Sequence, residues 1–138
     1  EKLGLEAFRA LFPVILTDNG VEFKDPDQLE HAPNNCPRTK IFYCDPQASW
    51  QKPHVEKNHV LLRRILPKGT SFKDLTKAQV ALATSHINSV ARELFDNKTP
   101  FDLFVGENEK KLLEFLDLSP IAPDEVYLKP ALLKTNPN

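Results

Sequence analysis

Two short stretches of this chain read as β-strands, residues 13–17 and 40–44, and a helix-forming segment lies between them. Each is rich in β-branched, aliphatic or aromatic side chains and is bounded by proline or acidic residues. Between them, Asp25-Pro26 has the form of a helix N-cap followed by proline at the first helical position, which predicts a short helix to about His31. Strands joined through a helix run parallel, so the pattern predicts an α/β fold. Two short strands do not make a self-sufficient sheet, so this sheet needs further partners.

Proline punctuates the rest of the chain: there are 12 prolines against 4 glycines. Residues 3–11 have helical composition, with Leu5, Phe8 and Phe12 at helical spacing, and Pro13 ends that helix. Residues 32–39 read as loop. Pro53 suits the first turn of a helix, which carries Val55, Leu62 and Leu66 on one side with Leu61 and Ile65 beside them, and stops at Pro67-Lys68-Gly69. Thr76 with Gln79 three residues on forms a capping box, opening a helix expected to reach about Phe95. A turn and a short helical piece follow in 96–106, then an amphipathic helix over 107–117. Beyond Pro120 the chain is expected to lie extended on the surface.

A length of 138 residues suffices for a buried core. With 41% apolar and 27% charged residues, the composition is that of an ordinary globular protein. No apolar run reaches membrane-spanning length, and the start, EKLGLEAFRALF, lacks the basic region and cleavage site of a secretory signal. Cys36 and Cys44 stand eight apart with no further cysteine to complete a zinc pattern, which predicts reduced thiols and a cytoplasmic setting. Net charge is −1, but charge is unevenly distributed. Residues 1–30 hold seven acids against three bases; residues 50–68 hold Lys52, Lys57, Arg63, Arg64 and Lys68 around the single acid Glu56. Such a stripe is either a phosphate-facing surface or a solvated helix face.

Two acids carry the chemical question. Asp18 follows the first strand directly, and in parallel α/β sheets the carboxyl ends of strands open onto the ligand crevice. Equally, Asn19-Gly20 is a common turn pair that Asp18 would cap. Glu56 lies in the first turn of the basic helix, with Lys52, His59 and Arg63 on its face. There it either complements the helix dipole or is a carboxylate ringed by phosphate-binding cations, which suits a divalent metal. Lys52, Lys57 and Arg63 read as DNA-phosphate contacts or as solvated cations. Asn19 and Gln51 could position a substrate oxygen or only shape their loops, and Trp50 reads as a packing anchor. His54-Val55-Glu56 lacks the P-C-x-x-C partner of a zinc deaminase, and Glu56-x-x-His59 lacks the second copy a di-iron site needs.

The segments TDNGVEF (17–23) and CDPQASWQKPHVEKNHVLLRRILPKGTSF (44–72) together resemble the integrase-core, or DDE, domain of insertion-sequence transposases, a superfamily shared with retroviral integrases. The resemblance is dense from Pro13 to Gly106. It departs in 88–104, where the arginines and prolines usual in that family are largely missing. It implies a ribonuclease-H-like core in which three carboxylates hold two Mg²⁺ or Mn²⁺ ions for DNA cleavage and strand transfer. Asp18 then matches the second carboxylate and Glu56 the third, both as catalytic and metal-binding residues, with Lys52, Lys57, Arg63 and Asn19 toward DNA. The only acids before Asp18, Glu1 and Glu6, fall in the leading helix, so neither can serve as the first. The chain therefore resembles the later part of such a core without its first three strands, with residues 1–106 as partial core and 107–138 as a terminal helix and tail. The expected function is DNA transposition or integration by a parent protein acting on transposon ends and target DNA in the bacterial cytoplasm. The alternative is a non-catalytic DNA- or protein-interaction fragment. An unpaired edge beside residues 13–17 would favour self-association.

Overall fold

The computed structural model describes residues 3–17, 24–45 and 53–134; for residues 53–56 it describes the backbone alone. Two compact units divide the chain, Glu1–Pro53 and His54–Asn138. Mixed α/β architecture is observed: among the described residues there are one two-stranded parallel sheet and seven α-helices.

In the first unit, α1 (Leu5–Leu11) starts at Gly4, whose φ of 90° favours a residue without a side chain. It ends before Pro13, as the ring requires. Strand β1 (Val14–Thr17) pairs in parallel with β2 (Lys40–Tyr43), with Ile15 opposite Ile41 and Thr17 opposite Tyr43. The connecting helix α2 (Pro26–Glu30) has Asp25 at its N-cap position, as expected, although the Asp25 side chain makes no capping hydrogen bond. Alternation sets the faces of the sheet. Ile41 and Thr17 are buried while Val14, Leu16 and Phe42 are about half exposed.

The 31–39 connection is more ordered than a plain loop. The Arg38 guanidinium donates to the carbonyls of Leu29 (2.8 Å) and Gln28 (2.7 Å), caps α2, and lies 4.9 Å from the Phe8 ring centroid. Arg9 on α1 donates to the Pro37 carbonyl at 2.7 Å. Two arginines thus bind α1 and α2 to the segment that feeds β2. On the side of β2 away from β1, the Ile41 N–H donates to a Glu30 carboxylate oxygen at 3.3 Å. Among the described residues no strand pairs with the other side of β1.

The second unit is helical: α3 (Pro53–Ile65), α4 (Lys77–Ile87), α5 (Pro100–Leu103), α6 (Glu107–Leu116) and α7 (Ala131–Lys134). Its core joins Leu61, Ile65 and Leu66 with Ala83 and Ile87 of α4 and Leu132 of α7; Leu61 and Ile65 are 1% exposed. The Thr76–Gln79 capping box forms as the sequence predicts: the Gln79 N–H donates to the Thr76 hydroxyl (3.1 Å) and the Thr76 N–H to the Gln79 side chain (2.9 Å). A second box, Thr99 with Asp102, opens α5.

Two expectations are corrected. Helix α4 stops at Ile87 and not near Phe95; Glu93–Phe95 is a separate 3₁₀ turn. The Arg92 guanidinium folds back to donate to the carbonyls of Ile87 (3.1 Å) and Val90 (3.3 Å), so these oxygens are satisfied without further helical turns. The end of the chain is also not merely extended on the surface, since α7 forms and buries Leu132. The segment before it is strapped to α4 and the two residues after it by side-chain acceptors. Ser119 N–H donates to the Ser85 hydroxyl (3.2 Å), Ile121 N–H to the Ser89 hydroxyl (2.8 Å), and Tyr127 N–H to His86 Nδ1 (3.0 Å).

Candidate functional site

Because β1 and β2 are parallel, their carboxyl ends lie at the same edge of the sheet. The ladder closes there with Cys44 N–H donating to the Thr17 carbonyl at 2.7 Å. Thr17 is 5% exposed, and it is the last residue of β1. Asp18 and Asn19 come next in sequence and lie outside the described residues, as do Trp50, Gln51 and Lys52. Asp45, read from sequence only as a strand terminator, stands two residues past β2 at this same edge.

Glu56 falls within α3, in the first turn as expected, and its side chain lies outside the described residues. Further along this helix, Lys57, His59, Val60, Arg63 and Arg64 are exposed while Leu61 and Ile65 are buried. The apolar positions turn inward and carry the cations outward by default. Lys57 is exposed. Arg63 is exposed but engaged: Nη1 donates to the Leu66 carbonyl at 3.4 Å, and the guanidinium carbon lies 5.5 Å from the Phe72 ring centroid. It tethers the loop after α3, where Gly69 adopts a φ of 87° in the turn. Lys68, Lys73 and Lys77 are exposed in and after this loop.

Sequence reasoning missed Arg92. This residue is 8% exposed, and burial pushes its guanidinium pKa below the ordinary value. Besides its contacts to the Ile87 and Val90 carbonyls, Nη1 donates to Asn58 Oδ1 on α3 at 3.1 Å. Its signal was faint, a lone arginine in a stretch otherwise short of them. Among the described residues, no group of three or more His, Cys, Asp or Glu side chains gathers in a metal-holding arrangement. No described helix is long and apolar enough to cross a membrane.

No protein-family model matches the chain, and no solved structure matches it. Curated proteins do. The chain is 27% identical over 100 residues to the transposase for insertion sequence element IS4351 of Bacteroides fragilis, covering 72% of this chain and 29% of that protein. It is 31% identical over 64 residues to transposase InsI for insertion sequence element IS30A of Escherichia coli strain K12, covering 46% of this chain and 17% of that one. It is 27% identical over 64 residues to the transposase for insertion sequence element IS1086 of Cupriavidus metallidurans, covering 46% and 19%. The chain thus spans less than a third of the length of each of these relatives. By sequence, the chain is similar to part of several insertion-sequence transposases.

Proposed function

We propose that this chain carries part of a ribonuclease-H-like transposase core, and that the protein it serves cuts and joins DNA with divalent metal ions. The observation that carries the reading is the parallel pairing of β1 with β2, which brings both strand ends to one edge with Asp18 next in the chain. Kinship with insertion-sequence transposases supports it. In this reading Asp18 and Glu56 are metal ligands and Asn19 helps orient a substrate oxygen. Lys52, Lys57 and Arg63 face the DNA backbone, and residues 1–106 belong to the core with 107–138 appended.

The donor set fits the metal chemically. An aspartate and a glutamate are hard oxygen donors, and Mg²⁺ or Mn²⁺ bound by few carboxylates keeps waters for exchange with phosphate oxygens. Bound there, the ions would activate the attacking oxygen and stabilise the leaving one. In this reading the chain's own contribution is to supply two carboxylates to the metal and cations that neutralise phosphates as DNA docks.

Mn²⁺ titration followed by paramagnetic broadening of backbone amides tests the metal site. Broadening is expected around the end of β1 and the first turns of α3, and Asp18→Asn or Glu56→Gln should weaken the apparent affinity by about tenfold or more. Broadening that neither substitution alters would sink the metal site. Duplex binding then decides what remains: Lys57→Gln should lower the salt slope by about 1 if Lys57 meets phosphate. Duplex binding indifferent to divalent ions, together with a failed metal titration, would leave a non-catalytic DNA-interaction module. No duplex binding at all would leave a protein-interaction module.

A further inference from the structure

The geometry points to Arg92 as a positioning residue that, through Asn58, sets the rotation of the first turns of α3 and so the placement of Glu56. Among the described residues Arg92 is the only Lys, Arg, Asp or Glu that is buried, and its three side-chain acceptors are all neutral oxygens: Asn58 Oδ1, the Ile87 carbonyl and the Val90 carbonyl. A guanidinium is suited to this work because its planar fork presents several donors in fixed directions, so one group can hold three points on two elements. The Arg92 backbone is itself held by the turn it opens. Its N–H donates to the Lys98 carbonyl at 3.0 Å, and its carbonyl accepts from Phe95 (3.0 Å) and Asn97 (2.9 Å). Asn97 sits at a φ of 62°, a conformation asparagine tolerates well. The guanidinium therefore reaches α3 from a braced base.

Where it reaches matters. Asn58 precedes Leu61, Leu62 and Ile65 by three, four and seven residues, so it continues the inward row of α3 toward the helix start. Among the described side chains of α3, Leu61 is the buried one nearest that start, at 1% exposed, while Lys57, Asn58, His59 and Val60 before it are exposed. The hydrogen bond to Arg92 thus holds α3 about one turn before Leu61. Glu56 lies two residues before Asn58, about 200° around the helix. A tie on the inward row consequently fixes the direction in which position 56 departs.

The inference rests on the metal-ligand role proposed for Glu56, and the test separates the two. Amide hydrogen exchange and Mn²⁺ broadening would be measured on the chain and on Asn58→Ala, Asn58→Asp, Arg92→Lys and Glu56→Gln. Asn58→Ala and Arg92→Lys should speed exchange of amides 57–61 by fivefold or more while amides 63–66 and α4 change less than twofold. Both should weaken Mn²⁺ affinity, and Asn58→Asp, which keeps an acceptor oxygen, should restore both readouts. A uniform rise in exchange across α3 and α4 would reduce Arg92 to a general stabiliser, and no rise would remove the tie; either overturns the inference. So would local loosening with Mn²⁺ affinity unchanged. Glu56→Gln with undiminished Mn²⁺ broadening would instead overturn the metal reading, leaving the exchange pattern to decide the tie.

Discussion

At the scale of single residues, Ser85, His86, Ser89 and Arg92 are buried polar side chains matched to backbone partners, and His86 shows what the matching costs. It is 6% exposed and uses Nδ1 as an acceptor for the Tyr127 N–H, which requires that nitrogen to be unprotonated. Burial lowers its pKa from the ordinary 6.5. Below pH 6.5 the unfolded chain therefore binds the proton more readily than the folded one, and stability falls with pH until the folded-state value is passed, where the loss levels off. Urea midpoints taken between pH 7.5 and 5 should show this decline, and His86→Gln should flatten it; a wild-type midpoint that does not fall across this range would contradict the assignment. Thr39 presents the opposite case. It is 8% exposed, and its hydroxyl has no hydrogen-bond partner among the described residues. Thr39→Val replaces that hydroxyl with a methyl of similar shape and should raise stability by about 1 kcal/mol in denaturant unfolding.

At the scale of elements, ends matter more than interiors. Helix α4 begins at a complete capping box, and the same Gln79 side chain donates from Nε2 to the Leu133 carbonyl of α7 at 3.1 Å. Thr76→Ala should cost about 1 kcal/mol through the lost cap. Gln79→Glu keeps the acceptor of the box but gives up the donor to α7. Its expected mark is faster amide exchange in α7 with α4 unchanged. The α5 box behaves alike: the Thr99 N–H, chiefly, and its hydroxyl hold the Asp102 carboxyl below the usual carboxylate range, with Lys98 adding to the effect. The same logic ended α4 early. Local composition favours helix well past Ile87, but Arg92 supplies the carbonyl partners that another turn would have supplied.

At the scale of the whole molecule, the second unit turns on a small core into which α7 folds through Leu132. Leu61→Ala removes a side chain that is 1% exposed and should cost 2–5 kcal/mol, read as a lowered urea midpoint, with the range set by how far the neighbours collapse. Short-range features of this fold were legible in advance because their causes act within a few residues: proline at the start of α2, the Thr76–Gln79 box, the inward stripe of α3, and the parallel sense of β1 and β2. The acids Asp18 and Glu56 stand in a familiar sequence pattern, but Asp18 and the Glu56 side chain lie outside the described residues. Arg38 on the carbonyls of α2, Arg92 on Asn58, the Ser85–His86–Ser89 strap and the burial of Leu132 were not legible in advance. Each joins groups from 9 to 41 residues apart or depends on which face a distant element offers. Sequence alone determined both strands and the starts of α2, α3 and α4. Tertiary structure decided where helices stop and which polar groups hold them, because a buried donor must find an acceptor wherever the packed chain has placed one.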